Sequence, residues 1–262
     1  MTAGAGVPTA PDGSLHPDRR LPTFERDVQR MFASIADRYD AFNHAATFGQ
    51  DLLWRPRALW ELERFHRGSV RQALDFGCGT GALARLLTVR FPAVRVVAVD
   101  FSRAMVERAD DLSRKARDRA RMRFGVANVH RLPFPDGTFD VATSAFVARN
   151  LKSLPGAFGE LRRVLRPGGS LLTLEISEPT APAVGRLFHA HFDRAVPLLG
   201  RAFGREGPYR YLPESLREFP SGEALLETLA SAGFARPRAF PMSLGVVTAY
   251  LGEASTAHDA RR

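Results

Sequence analysis

The chain has 262 residues, 45% of them apolar and 25% charged, which suits one globular domain with a sizeable core. No stretch approaches the roughly 18 uninterrupted apolar residues of a membrane span, and the single cysteine, Cys78, excludes an internal disulfide framework and a Cys-based zinc site. The 37 basic and 28 acidic residues give a formal charge of +9, nearly all of it from Arg, and the pattern favours charges spread over solvated faces above a nucleic-acid partner.

Residues 1–20 are rich in Gly, Ala and Pro, lack the apolar run of a secretory signal and read as a disordered arm. With no signal and one thiol, a cytoplasmic location is expected. A domain over 21–252 then opens on a helical cap, 21–68. Apolar residues recur at helical spacing from Phe24 to Tyr39 (Phe24, Val28, Met31, Phe32, Ile35) and again over 52–65. Strand patterns at 73–76, 94–99, 121–126, 139–143 and 170–176 alternate with helical ones at 82–90, 102–119 and 154–165, the signature of right-handed crossovers and a doubly wound, mostly parallel sheet. The run from Arg114 to Arg123 reads as an exposed helix end. An insertion over 183–220 carries an apolar helix, 184–198. Helix 221–232 follows, and strands at 236–240 and 246–251 lie close enough to pair as an antiparallel hairpin, completing a seven-stranded α/β fold. A polar tail, 253–262, is expected to be disordered.

Asp75-Phe76-Gly77-Cys78-Gly79-Thr80-Gly81 ends the first strand and opens a helix, where glycines let the backbone turn sharply and approach a ligand. Asp100 ends the second strand, about twenty residues on, where a carboxylate accepts ribose hydroxyls. Gly77-x-Gly79-x-x-Ala82 also satisfies the permissive dinucleotide pattern, so local spacing leaves two cofactors open. The closing hairpin decides for S-adenosylmethionine (SAM), with Asp75, Gly77, Cys78, Gly79, Gly81, Asp100, Asn128 and Ser144 as the cofactor-binding residues. Asn128 stands where its amide carbonyl would accept the adenine amino group. No metal is expected.

Several segments together carry a family resemblance. They are Met31-Phe32-x-x-Ile35-Ala36-x-Arg38-Tyr39-Asp40-x-x-Asn43, Trp54, Ala145-Phe146-x-x-Arg149-Asn150, Leu161-x-x-Val164-Leu165-x-Pro167-Gly168-Gly169, Glu175-x-Ser177-x-Pro179, and Tyr209-Arg210-Tyr211-Leu212-x-Glu214-Ser215-x-x-x-Phe219-Pro220. Over residues 31–250 the chain resembles the C-methyltransferases of ubiquinone and menaquinone biosynthesis. The resemblance implies methylation of a ring carbon of a prenylated, demethylmenaquinol-like hydroquinone, which needs a base and a phenolate stabiliser. It implies that Arg149 and Asn150 serve the acceptor, that Asp100 serves ribose or a base water, and that Tyr39 and Asn43 close over the site. Tyr209, Arg210 and Tyr211 would line the ring pocket.

The sequence departs from the family at Asp51-Leu52, where a His-Arg pair is usual, at Gly207-Pro208, where acidic residues are usual, and at Phe146-Val147-Ala148, where Phe-Gly is usual. These changes keep open a second reading, O-, N- or C-methylation of a soluble aromatic metabolite. A nucleic-acid methyltransferase is disfavoured by the absence of an Asn-Pro-Pro-Tyr-like motif. His44, His189 and His191 read as structural or surface residues, and the last two, two apart on a helix, make a poor metal pair. Peripheral contact with the inner membrane face would suit an apolar acceptor, and monomer and homodimer both stay open.

Overall fold

Short apolar runs, each stopped by a turn, pair into one seven-stranded sheet. The computed structural model describes residues 22–203 and 206–255, without the side chains of 206–210 and 214. The strands are β1 Gln72–Phe76, β2 Arg95–Asp100, β3 Met122–Val126, β4 Phe139–Ala145, β5 Leu165–Ile176, β6 Phe234–Met242 and β7 Val247–Ala254, in the order β3-β2-β1-β4-β5-β7-β6. The first five pair in parallel, and β7 joins β5 and β6 in antiparallel register. The order reverses between β1 and β4, so the crevice for a ligand opens beyond their carboxyl ends.

The helices are α1 Phe24–Ile35, α2 Tyr39–Ala46, α3 Asp51–Phe65, α4 Ala82–Arg90, α5 Arg103–Ser113, α6 Leu154–Val164, α7 Pro182–Ala190, α8 Val196–Ala202, α9 Glu206–Arg217 and α10 Gly222–Ser231. Leu59, Leu62, Leu83 and Leu87 of α3 and α4 pack on one face of the sheet. On the other, Phe158, Leu161, Leu225 and Leu229 of α6 and α10 pack against Leu74 and Phe76. Burial on both faces explains why β4 is buried almost end to end rather than on alternate residues, its Asp140, Thr143 and Ser144 included.

Four expectations change in the structure. The helix expected from Phe24 to Tyr39 breaks into α1 and α2, because the turn at Ala36–Arg38 lets Phe42 bury against Ile35 and Val196. Helix α5 stops at the buried Ser113, well short of 119. Beyond it Arg121 is no solvated helix end: its guanidinium donates to the carbonyls of Thr88 (2.9 Å), Phe91 and Val94 (3.3 Å each), satisfying the C-terminus of α4. At the other end of the chain β7 runs through Glu253 and Ala254, so the start of the expected tail is strand. The expected arm, 1–20, and the rest of the tail lie outside the described residues. The insertion folds as α7, a π-helical turn His191–Ala195, α8 and α9, packed beside the cap.

Candidate active site

The turn after β1 is shaped by contacts from both sides. Gly77 sits at φ +59, and a Cβ there would lie 2.6 Å from both methyls of Val147. Gly79 donates its amide to Asp100 Oδ2 (2.9 Å), while Ser102 N–H donates to Oδ1 (2.9 Å). Burial pushes the Asp100 carboxyl up to about 6 despite these donors. Asp75, under the turn, accepts from Thr143 Oγ1 (3.1 Å) through Oδ1, while Oδ2 is buried with no partner among the described residues. Burial raises its carboxyl to about 7. The Cys78 thiol is buried and pushed well up by that burial, so it is no nucleophile. Helix α2 is fastened to the turn by Thr80 Oγ1 donating to Asp40 (2.8 Å).

A cleft runs from this turn past Asp100, Phe101 and Met105 to Asn128. Asn128 Nδ2 donates to Glu25 of α1 (3.3 Å), and its Oδ1 accepts from the His130 amide (2.9 Å), so the amide is fixed with its carbonyl toward His130. Asn150 also lines the cleft. Its Nδ2 donates to the Phe146 carbonyl (3.3 Å), and its Oδ1 is buried without a partner among the described residues.

Arg149, next in sequence, faces another space. A largely apolar cavity of about 560 Å³ lies under α2, α3, α7 and the β6–β7 connection, and Arg149, Arg55, Trp54 and Phe188 are among its walls. Buried Glu175 of β5 stands 3.4 Å from Arg149 Nη1 and accepts the Ala148 amide at 2.6 Å, which anchors the short helical turn Ala148–Asn150. Burial raises the Glu175 carboxyl to about 7, with the Arg149 charge opposing. Trp54 Nε1 donates to Ser243 Oγ (2.8 Å), tying the cap to the hairpin across the cavity.

Tyr39 and Phe146 line both the cleft and the cavity and mark their junction. Enclosure raises the Tyr39 hydroxyl, and the charges of Arg149 and Arg55 work against it. Phe146 takes φ +64, unusual for an aromatic residue, with Arg149 and Arg55 at 5.9 and 5.6 Å from its ring centre.

Thus Asp75, Gly77, Cys78, Gly79, Asp100 and Asn128 gather about the turn and cleft, and Tyr39, Arg149 and Asn150 about the junction. Three expected site residues stand elsewhere. Ser144 is fully buried, its hydroxyl bonding Thr173 (3.0 Å) across the β4–β5 pair. Gly81 caps α4, where a Cβ would meet Phe124 and Ala109 at 3.0 and 3.1 Å, so it serves packing. Tyr211 packs against Phe24, Val28 and Met31 of α1, away from the cavity, and the side chains of Tyr209 and Arg210 lie outside the described residues. Conversely, the structure places Arg55 and His191 on the cavity wall and Glu175 against Arg149, positions that the sequence alone did not indicate. His191 lines the cavity and bonds the Ala46 carbonyl through Nε2 (2.8 Å), which ties the insertion to α2, in keeping with its reading as a structural residue.

The profile of the ubiE/COQ5 methyltransferase family matches residues 21–253. A demethylmenaquinone methyltransferase of Thermus thermophilus is 43% identical over 226 residues, 85% of this chain and 99% of that one. A ubiquinone/menaquinone biosynthesis C-methyltransferase UbiE of Geobacter sulfurreducens is 37% identical over 235 residues, 89% of this chain and 91% of that one. Among solved structures, the fold matches Haemonchus contortus phosphoethanolamine N-methyltransferase 2 in complex with S-adenosyl-L-methionine, with a TM-score of 0.55 and 17% identity over 76% of this chain and 52% of that one.

Proposed function

The chain belongs to the ubiE/COQ5 methyltransferase family, and from that premise we propose that it methylates a ring carbon of a prenylated hydroquinone of the demethylmenaquinol type, with SAM as methyl donor. The observation that carries this reading is the apolar cavity of about 560 Å³ that meets the glycine turn at Tyr39 and Phe146, with Arg149 on its wall. A cavity of that size and lining suits an aromatic ring with an apolar tail.

SAM, when bound, supplies a sulfonium-activated methyl group. The residues present fit it: the turn has no side chain at Gly77 and Gly79, Asp100 offers a carboxylate at the cleft, and Asp75 Oδ2 and Asn150 Oδ1 are buried acceptors in want of donors. In the proposed roles Asp100 holds the ribose hydroxyls, and Asn128 offers the adenine amino group the second lone pair of the carbonyl that already accepts the His130 amide. Arg149 holds the hydroquinone oxygen as it becomes a phenolate, whose charge makes the neighbouring ring carbon nucleophilic. Asn150 orients the acceptor from the cleft side, and Tyr39 closes the junction against water.

The test is methyl-labelled SAM offered with reduced prenylated naphthohydroquinones and with soluble phenols. The expected product is a ring-methylated quinol; label appearing only in the soluble phenols would overturn the reading in favour of a tailoring methyltransferase.

Two further outcomes are expected. Phe48, Leu187 and Leu244 line the cavity yet are 79%, 73% and 78% exposed, and no described helix is long and apolar enough to cross a membrane. An exposed apolar rim around an apolar cavity suits uptake of the acceptor from a lipid surface. Leu244→Glu should therefore raise KM by about tenfold for a long-chain quinol in vesicles, the cost of wetting one apolar contact, and leave KM for a short-chain quinol unchanged.

The second concerns protons. Asp75 and Asp100 titrate near 7 and 6 because burial disfavours their charged forms. Raised folded-state values bind protons more tightly than the unfolded chain, so the unliganded protein should lose stability as pH rises from about 4. That loss continues through 6 to 7. Cationic SAM favours the ionised carboxylates, so it should bind more tightly as pH rises through the same window and release protons below it. Calorimetry near pH 6 in buffers of different ionisation enthalpy reads that release directly; equal heats in all buffers would refute it.

A further inference from the structure

A chemical remainder of the proposed reaction points to another pair of residues. Replacing a ring C–H by C–CH3 turns the sulfonium into a neutral thioether and leaves one proton over. The hydroxyl proton lost on forming the phenolate must leave a largely apolar cavity, and the ring proton lost after methylation restores the hydroxyl.

Asp51 is a carboxylate on the wall of that cavity, with a side chain only 10% exposed. Its Oδ1 lies 3.2 Å from His44 Nδ1 and accepts from Thr47 Oγ1 (3.1 Å), while Oδ2 accepts from Arg55 Nη1 (3.2 Å). The His44 side chain, by contrast, is 54% exposed. The two residues therefore span the wall, one end on the cavity and the other in solvent. Gly49 turns the chain between α2 and α3 at φ +76 against the imidazole, where a Cβ would come within 3.1 Å of the ring. The charged and titratable groups around the pair are Arg55 on α3 itself, Tyr39 on α2, Arg149 after β4 and His191 from the insertion, all on the same cavity.

We propose that Asp51 and His44 form the proton exit of the substrate cavity. Asp51 takes the proton when the substrate O–H bond breaks and passes it to His44 Nδ1. The imidazolium then loses its Nε2 proton to water, exchange of the exposed ring with solvent restores the tautomer with Nδ1 free, and Arg55 keeps the emptied carboxylate in place between turnovers. The inference rests on the quinol reading above and deepens it.

The experiment compares wild type with His44→Ala, His44→Gln and Asp51→Asn on the quinol, with SAM affinity measured for each. His44→Gln keeps a side chain that can hydrogen bond Asp51 but cannot relay a proton, so it separates relay from packing. Each variant should lose kcat by about 10²-fold, the scale of a proton-transfer group, with SAM affinity unchanged. Added imidazole should restore His44→Ala, whose missing ring leaves a site open to solvent, and should leave Asp51→Asn unrestored. Undiminished kcat in the variants, or a loss in His44→Ala that imidazole does not move, overturns the relay while wild-type turnover still upholds the quinol reading. Failure of the wild type itself on every quinol defeats that reading, and the relay with it.

Discussion

Arg149→Ala should lower kcat on the quinol by about two to three orders of magnitude, the scale measured when one preorganised donor to a developing oxyanion is removed. SAM affinity should stay near wild type, because Arg149 faces the acceptor cavity while its neighbour Asn150 faces the cleft. Steady-state kinetics with calorimetric SAM binding check both halves, and a matching loss in SAM affinity would move Arg149 out of the acceptor role. Arg149→Lys should fall between, since it keeps the charge and loses the planar fork.

The same substitution strands Glu175. A buried carboxylate deprived of its cation usually costs about 3–5 kcal/mol if it stays charged. Glu175 already titrates near 7, held up by burial and held down chiefly by Arg149. Without the cation it takes a proton instead, so the variant should fold and the kinetic loss should be readable. Glu175→Gln tests the other direction. The amide can still accept the Ala148 N–H, but the charge that orients Arg149 is gone, so kcat should drop with SAM affinity intact.

The sheet was legible because its signals are local: apolar runs ended by turns, and a closing pair of strands short of the tail. The glycine turn and Asp100 were legible for the same reason, each lying at a strand end. What could not be read depends on partners distant in sequence. Nothing at Ala36–Arg38 announces a helix break; Phe42 makes it, by burying against the insertion. Ser144 is expected at the site but packs inside the sheet: β4 is buried on both faces, so alternation does not reveal which side chains reach the ligand end. Tyr211 carried the right chemistry but packs on α1. The pair Arg149 and Glu175 joins the ends of two neighbouring strands, and only strand order brings them together. Asp51 and Arg55 were a visible i, i+4 pair whose place on a cavity wall no spacing could give.

The departure at Val147 sharpens one more expectation. Gly77→Ala puts a Cβ at φ +59 and 2.6 Å from the Val147 methyls. The backbone strain alone is about 1–2 kcal/mol, and the clash forces either the turn or Val147 to move. In the proposed reading the donor meets the turn backbone at this point, so the displacement should weaken SAM binding by about 10²-fold or more, two tenfold steps at 1.4 kcal/mol each. The double variant Gly77→Ala with Val147→Gly removes the clash and leaves the strain, so it should recover part of the affinity. Calorimetry on the three proteins separates these contributions. If Gly77→Ala binds SAM like wild type, the turn is not the donor's cradle; if the double variant recovers nothing, Val147 does not transmit the effect. Partial recovery would show that the valine standing at the family's usual glycine presses on the cofactor turn, linking the two strand ends that bracket the junction.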